Sequence, residues 1–330
     1  MTQLSELTAG IPEPHSSASS ELPVVVSQLR WEAEGVVSLR LRSRTGELLP
    51  RWEPGAHVDL ILPTGIERQY SLCGPIEDRS SYQLGVRRER TSRGGSEYVH
   101  AFLRPGQPLL LKGPRSNFGF RRAAAYLFIA GGIGITPILP MVRQAQYWGA
   151  EWQLLYGGHT ADSMPFLDEL REFGSRVRAY PSDTVGRIPL AEVVAQVRPD
   201  LKIFACGPES LISALNEATA HWPAGSVHVE RFKPRPRVRT EDKPFDVVCA
   251  ASGRTVEVPA GRSILTALEE AGIRSAASCR SGLCGSCETA VLEGVPDHRD
   301  EILAENDRAA GDRMFICVSR ARTPRLVLDL

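Results

Sequence analysis

Four cysteines near the C-terminus limit what this chain can fold into more than any other feature. Cys279, Cys284 and Cys287 follow the spacing C-x4-C-x2-C, and 29 residues separate the third of them from Cys317. This is the spacing of a plant-type [2Fe–2S] cluster. A zinc site favours paired C-x2-C units, and Cys284 and Cys287 form the single such pair here. We therefore predict that these four cysteines bind a [2Fe–2S] cluster, rather than a zinc ion or two disulfides.

The other three cysteines, Cys73, Cys206 and Cys249, are dispersed along the chain. Seven is an odd number for a disulfide framework, and this usage fits a reducing compartment. Residues 1–21 lack the basic and apolar regions of a signal peptide, and no run of about 18 apolar residues occurs. We expect a cytoplasmic protein without a membrane segment. Rich in Ser, Pro and Glu, residues 1–21 are predicted to be a disordered leader.

Charge and length exclude some classes of partner. The chain has 330 residues, with 39 Lys and Arg against 39 Asp and Glu. It is long enough for two or three domains. Without net charge, no overall field favours binding to nucleic acid or to an anionic membrane. We expect a monomer that recognises its partners through local surface patches.

Three apolar patterns follow one another along the sequence. Residues 22–120 show short alternating runs between turn residues, which predicts an antiparallel β-barrel. Residues 121–232 alternate apolar strands with helical segments, which is typical of a doubly wound α/β domain. Three prolines among charged residues indicate a linker at 233–244. Residues 245–330 predict a compact α+β domain in which several strands and one helix, capped by Ser263, surround the cysteine loop.

A glycine-rich turn connects the first strand of the α/β domain to a helix. Its backbone N–H groups and the helix dipole can face a pyrophosphate, which predicts NAD contacts for Gly131, Gly132, Gly134, Thr136 and Pro137. The turn lacks the G-x-G-x-x-G spacing, so a plain strand-to-helix connection is the alternative. A second turn lies at the same predicted sheet edge and consists of Cys206, Gly207 and Pro208. Together the two turns would form a crevice for the NAD, in which Cys206 would lie beside a planar ring.

Two barrel segments have the groups that a flavin requires. The first offers a guanidinium for a phosphate, an aromatic face and strand backbone, and consists of Arg68, Gln69, Tyr70, Ser71 and Leu72. The second has a cation, two glycines and a hydroxyl, and consists of Arg93, Gly94, Gly95 and Ser96. Either alone could be an ordinary strand or hairpin loop. Together they match a flavin with a single phosphate, which favours FMN and leaves FAD as the alternative.

Nine segments in order make the chain resemble the class IA reductases of the phthalate dioxygenase reductase and vanillate O-demethylase reductase group. The resemblance covers residues 22–330 and rests on RQYSLCGP, SRGGS, GPRSNF, AGGIGITPIL, ACGP, VHVERF, SCRSGLCGSC, GVPDHRD and ICVSRARTPRLVLDL. It implies an FMN-binding β-barrel, an NADH-binding α/β domain and a C-terminal ferredoxin-like domain of the β-grasp type. Arg280 stands where relatives often carry an acidic residue, so cluster potential and partner specificity do not transfer.

The resemblance also implies roles for individual residues. Thr136 would approach the flavin ring from the nucleotide domain, and Phe232 corresponds to an aromatic residue near the flavin. Without the resemblance, Phe232 would be interpreted as a core anchor. Thr136, Cys206 and Phe232 would thus form the flavin and nicotinamide environment. The remaining FMN contacts would be Arg68, Tyr70, Ser71 and Leu72, then Gly85, Val86 and Arg87, and finally the turn from Arg93 to Ser96.

The three cofactors together predict an electron route. NADH delivers a hydride whereas the cluster accepts single electrons, so a flavin must divide the pair. The resemblance implies a terminal oxygenase as acceptor, either a Rieske-type aromatic hydroxylase or demethylase, or a cytochrome P450. A redox-sensing interaction module is the competing functional class.

Asp162 after strand WQLLYGG favours NADH over NADPH. Because this chemistry needs no acid or base, we interpret four histidines as structural or surface residues: His57, His159, His228 and His298.

Overall fold

The computed structural model describes residues 21–89, 91–92, 94–235, 242–303 and 305–330. Nearly all of the predicted leader lies outside the described residues, as do Arg93 and the middle of the predicted linker, 236–241. The described chain forms an antiparallel barrel, a parallel α/β sheet and a mixed sheet, in that order. This confirms the predicted fold class. The limits that we gave to the domains stay predictions.

The first unit is a six-stranded antiparallel sheet. Its strand order is β4-β3-β6-β1-β2-β5, and a bridge between Leu72 and Leu84 joins the two edges into a barrel. Alternate residues such as Leu39 and Leu41 are fully buried inside it, as the period of a strand dictates. The elements are β1 (Leu22–Ala33), β2 (Val36–Ser43), β3 (Ala56–Ile61), β4 (Glu67–Ser71), β5 (Ser81–Arg87), α1 (Gly95–Ala101) and β6 (Pro108–Ser116).

The second unit is a five-stranded parallel sheet in the order β11-β10-β7-β8-β9. Its central strand β7 is buried along its whole length. The strand order reverses between β7 and β10, and ligands of such sheets bind at that switch point. The elements are β7 (Ala125–Gly131), α2 (Ile135–Tyr147), β8 (Glu151–Gly158), α3 (Leu167–Arg171), β9 (Val177–Pro181), α4 (Leu190–Val193), β10 (Leu201–Cys206), α5 (Glu209–Ala218) and β11 (Val227–Glu230).

The third unit is a mixed sheet in the order β13-β12-β18-β14-β16, with β12 and β18 parallel. Helix α6 begins at the predicted cap, where the Ser263 hydroxyl accepts a hydrogen bond from the Thr266 N–H at 3.1 Å. The elements are β12 (Phe245–Cys249), β13 (Arg254–Val258), α6 (Ile264–Glu270), β14 (Glu288–Glu293), β15 (Pro296–Asp297), α7 (Glu305–Ala310), β16 (Arg313–Phe315), β17 (Arg320–Ala321) and β18 (Arg325–Leu328).

Ion pairs connect the three units around the segment that follows β11. Lys233 pairs with Glu89 of the barrel at 2.9 Å, and Arg235 pairs with Glu301 of the third unit at 2.8 Å. These contacts hold the end of the nucleotide domain between the other two units. Among the described helices, none combines the length and apolar character needed to cross a membrane.

Candidate functional site

Two adjoining clefts lie where the three units meet. The larger, of about 820 Å³, is walled by the barrel, the nucleotide domain and the cysteine loop of the third unit. The smaller, of about 520 Å³, follows the carboxyl edge of the parallel sheet. Arg87, Ile133 and Phe232 belong to the walls of both. Two ligands, one in each cleft, would therefore meet at this shared wall.

The larger cleft contains most of the residues that we predicted to contact FMN. Leu72 and Val86 differ, because both are fully buried in the barrel core and line neither cleft. Contacts of these two with the flavin stay predictions. The predicted residues in the wall of the larger cleft are Arg68, Gln69, Tyr70, Ser71, Gly85, Arg87, Ser96, Thr136 and Phe232.

The turn before α1 fits a phosphate because its glycines leave room for a cation. Gly94 has the left-handed φ of 89°. A Cβ on Gly95 would lie 2.6 Å from Cγ of Arg68. The Arg68 side chain therefore packs against the turn in space that any side chain at position 95 would occupy. The Ser96 hydroxyl is buried beside them and accepts a hydrogen bond from the Glu89 N–H at 3.1 Å. The arrangement suits one phosphate group.

A close approach between the barrel and the nucleotide domain forms one wall of the larger cleft. A Cβ on Gly85 would lie 2.7 Å from Cγ2 of Thr136, so glycine is needed for the two domains to meet. The Thr136 hydroxyl donates to the Ile133 carbonyl at 2.9 Å, and the residue is buried. Thr136 therefore lines the larger cleft from the nucleotide domain, and its contact with the flavin ring stays a prediction.

The two glycine turns of the nucleotide domain touch at the sheet edge. A Cβ on Gly131 would lie 2.6 Å from Cδ of Pro208, and one on Gly207 would lie 3.1 Å from Cα of Gly131. Gly132 and Gly134 complete this wall of the smaller cleft. Pro137 lies in α2 and lines neither cleft. The backbone of these turns can face a ligand at van der Waals distance.

Cys206 is fully buried behind the turn and lines neither cleft. Burial raises the pKa of its thiol well above the usual value, so the group is neutral. Its register partners are Ala130 on β7 and Glu230 on β11. The predicted place beside a planar ring stays a prediction.

Glu230 is a cleft residue that the sequence reasoning missed. Its Oε2 is shielded from solvent and has no hydrogen-bond partner in the described part of the chain, although part of the residue is exposed. Burial raises the pKa of this carboxyl to about 8, so it is protonated at neutral pH and can donate a hydrogen bond. The signal was a carboxylate two residues before Phe232 at the end of a strand.

Phe232 is 42% exposed and lies in the shared wall of the two clefts. The interpretation of this residue as a core anchor is therefore wrong.

The sequence reasoning also missed three residues in the wall of the smaller cleft, which lie there with His159: Tyr180, Ser182 and Arg187.

The cysteine loop brings its four thiols together in two pairs. Cys279 and Cys284 are hydrogen-bond neighbours, as are Cys287 and Cys317, and Cys317 also adjoins Cys279. Among the described residues, no group of three or more His, Cys, Asp or Glu side chains is arranged to bind a single metal ion. A two-iron cluster is held by one cysteine pair on each iron, so the donor set and its grouping fit [2Fe–2S].

Backbone donors in the same loop point at the sulfurs. The Ser281 and Leu283 N–H groups donate to Sγ of Cys279 at 3.4 and 3.5 Å. Gly282 has φ of 72°, and a Cβ there would lie 2.7 Å from Val318 Cγ2. Glycine thus allows the loop to curl closely, and the N–H groups stabilise thiolates.

His57 lies in the wall of the larger cleft, and its interpretation as a structural or surface residue stays a prediction. It is buried on β3. Burial, with Arg115 nearby, lowers the pKa of His57 to about 4.

Comparisons with known proteins agree with this geometry. Residues 247–322 match the 2Fe-2S iron-sulfur cluster binding domain, and residues 128–217 match the oxidoreductase NAD-binding domain. The chain is 39% identical to phenoxybenzoate dioxygenase subunit beta of Ectopseudomonas oleovorans, over 96% of this chain and 100% of that protein. These matches confirm the predicted cluster and NAD domains.

Solved structures are similar over nearly the whole chain. An intact type IV self-sufficient cytochrome P450 monooxygenase matches with a TM-score of 0.89 and 41% identity, covering 94% of this chain and 41% of that one. Phthalate dioxygenase reductase, described as a modular structure for electron transfer from pyridine nucleotides to [2Fe–2S], matches with 0.69 and 35%, covering 94% and 98%.

Fold and site together define an NAD-dependent iron–sulfur oxidoreductase. Within that class, the chain belongs to the reductase components of oxygenase systems, the family of phthalate dioxygenase reductase.

Proposed function

We propose that the chain passes electrons from NADH through FMN to its [2Fe–2S] cluster and then to a terminal oxygenase. The observation that carries the proposal is the continuity of the two clefts. The smaller cleft opens onto the larger at Phe232, and the larger is walled at its other side by Cys279 and Leu283 of the cluster loop. A ligand chain of nicotinamide, flavin and cluster follows that path without a gap.

The chain's own residues position the nicotinamide. We propose that the touching turns at Gly131 and Gly207 hold the pyrophosphate by backbone N–H groups. Glu230, neutral at working pH, would donate a hydrogen bond to the carboxamide, and Thr136 and Phe232 would exclude water around the ring. When bound, a flavin accepts a hydride and releases its two electrons singly.

FMN is favoured over FAD by the phosphate turn. Arg68 and the Gly94–Ser96 turn form one compact phosphate site, with the Ser96 hydroxyl buried beside it. Asp162 after β8 supports NADH as the reductant. Arg187 lies in the wall of the smaller cleft, so NADPH should be assayed beside NADH.

A Rieske-type aromatic hydroxylase or demethylase is the acceptor that we favour, because the dioxygenase relative matches along its whole length. A cytochrome P450 is the second candidate, supported by the similarity to the self-sufficient P450 protein, with its TM-score of 0.89. We also propose that the protein acts as a cytoplasmic monomer; no disulfide joins the described cysteines, which fits a reducing compartment.

The test is an acceptor assay on the cofactor-loaded protein, with the released flavin identified by mass spectrometry. We expect FMN, NADH-dependent reduction of cytochrome c, and faster turnover with a Rieske oxygenase than with a P450. Release of FAD would contradict the flavin assignment. Negligible NADH-dependent reduction of any acceptor would contradict the electron route and favour a redox-sensing module.

A further inference from the structure

We propose that Arg235 is a positioning residue: its ion pair with Glu301 holds the cluster-bearing third unit against the flavin cleft and thereby sets the rate of electron transfer from flavin to cluster. The inference deepens the proposed function and rests on its electron route. It concerns residues 231–235, here called the strap, which follow β11 and reach the third unit.

Alternate residues of the strap form ion pairs with carboxylates from all three units. The side chains of Arg231, Lys233 and Arg235 lie 2.9, 2.9 and 2.8 Å from their partners. The partners, in the same order, are Glu209 of the nucleotide domain, Glu89 of the barrel and Glu301 of the third unit. A segment of five residues thus binds to each unit through a charged group.

The ion pair with the third unit is the most enclosed of the three. The Glu301 side chain is 4% exposed, against 38% for Glu209 and 39% for Glu89. Both of its oxygens accept from Arg235, Oε2 from Nε at 2.8 Å and Oε1 from the backbone N–H at 3.3 Å. A carboxylate shielded from water is screened less by solvent than an exposed one, so losing a charged partner costs more. We therefore expect this pair to contribute most to the position of the strap.

Glu301 lies directly against the cluster loop. Its backbone N–H donates to the Gly282 carbonyl at 2.9 Å. Gly282 stands between Cys279 and Cys284, and a Cβ on it would lie 3.0 Å from Cα of Asp300, so the two backbone segments touch. A displacement of Glu301 would therefore move the loop that carries three of the four cluster ligands.

The beginning of the strap lies in the flavin cleft. Phe232 and Lys233 line both clefts, whereas Arg235 lines neither. Three residues of fully extended chain span at most about 10–11 Å, so Arg235 stays close to the cleft wall. The strap therefore couples the separation between the flavin cleft and the cluster loop to the ion pair of Arg235 with Glu301.

The electron step needs no proton from Arg235. NADH supplies an electron pair, and one electron at a time leaves the reduced flavin and converts one ferric ion of the cluster to ferrous. The guanidinium stays protonated and gains or loses nothing in this step. Its part is to keep the cluster loop at a fixed separation from the flavin.

Three substitutions at position 235 test the proposal in the cofactor-loaded protein. Arg235→Lys keeps the positive charge, Arg235→Ala removes it, and Arg235→Glu places a like charge beside Glu301. The Arg235 side chain is 52% exposed, so each variant should fold. Anaerobic stopped-flow absorbance after mixing with NADH separates flavin reduction from cluster reduction. Hydrogen exchange of the peptide 278–303 reports the docking of the loop independently of turnover.

We expect flavin reduction to be unchanged in all three variants, because Arg235 lines neither cleft. Cluster reduction should be about fivefold slower in Arg235→Ala and about tenfold slower in Arg235→Glu, and should stay within about twofold in Arg235→Lys. Exchange in 278–303 should rise in the two slow variants only. In a Glu301→Gln background, Arg235→Ala should slow cluster reduction by less than about twofold further, because the two residues act as a pair.

The matched control is Arg198→Ala. Arg198 pairs with both carboxylate oxygens of Glu151, at 2.8 and 3.1 Å, and lines neither cleft. It is an arginine of similar exposure in an ion pair within the nucleotide domain. Its removal should leave both cluster reduction and exchange in 278–303 unchanged.

Three results would overturn the role of Arg235. The first is cluster reduction at the unmodified rate in Arg235→Ala and Arg235→Glu. The second is equal slowing in Arg235→Lys and Arg235→Ala, which would show that the charge does not matter. The third is the same slowing by Arg235→Ala with and without Glu301→Gln, which would show that Arg235 acts through another group. An unmodified protein whose flavin NADH does not reduce would instead contradict the proposed function.

Discussion

The two clefts are built in different ways. The wall of the smaller includes six glycines of the nucleotide domain, and the turns at Gly131 and Gly207 approach so closely that side chains would collide. The larger is made from side chains that come from three domains, among them Tyr70, Glu230 and His57. A backbone site should be damaged by adding atoms, whereas a side-chain site should be damaged by removing groups.

The largest effect is expected where the larger cleft ends, at the cluster. Cys284→Ser should abolish the cluster and with it cytochrome c reduction, because the loop loses one of four thiolates. NADH-driven bleaching of the flavin should continue, since both clefts remain. Absorbance and electron paramagnetic resonance would measure this. Cys249→Ser, in the core of the same domain, is the control and should keep the cluster. Loss of flavin bleaching in Cys284→Ser would contradict the modular scheme.

Adding one methyl group should damage the smaller cleft. A Cβ on Gly134 would collide with the Cys206 carbonyl, which is backbone and cannot rotate away. Gly134→Ala should therefore cost about 1–3 kcal/mol of stability and weaken NADH binding. Thermal unfolding and NADH titration are the measurements. Gly157→Ala is matched to it in the same cleft, where the new Cβ meets the movable Ile188 side chain at 3.3 Å. Equal effects of the two substitutions would contradict the backbone account.

Removing a charged group should damage the larger cleft. Arg68→Ala should weaken flavin binding by about 1.5–3 kcal/mol, or roughly 10- to 150-fold, because a charge-assisted phosphate contact is lost. Flavin fluorescence during dilution measures this affinity. Arg68→Lys keeps the positive charge but lacks the planar guanidinium group. Its flavin affinity should lie between that of Arg68→Ala and that of the unmodified protein. Unchanged flavin affinity in Arg68→Ala would remove Arg68 from the phosphate site.

The smallest expected effect is a pH dependence. Because the folded pKa of Glu230 lies near 8 and the usual value is 4.5, the carboxyl stays neutral up to about pH 8. NADH-driven flavin reduction should fall severalfold as the pH rises through 8, when the hydrogen-bond donor is lost. Stability contributed by the neutral form should decline between about pH 4.5 and 8 and then level off. Glu230→Gln should flatten both profiles. If Glu230→Gln kept the pH dependence of the unmodified protein, a group other than Glu230 would be responsible for it.

Sequence reasoning found the backbone sites more completely than the side-chain site. The cysteine spacing and the glycine turns are local features, and the structure brings the four thiols together and the two turns into contact. Glu230 was missed because its place in the cleft wall depends on neighbours from other domains, which no local pattern records. The resemblance also implied flavin contacts for Leu72 and Val86; the side chains of both point into the barrel core, and these contacts stay predictions.

The most direct test of the account is an anaerobic absorbance titration of the cofactor-loaded protein with NADH. The continuous path from the smaller cleft to the cluster predicts that the flavin and iron–sulfur bands both bleach. Persistence of both bands in a protein loaded with flavin and cluster would contradict the electron route itself.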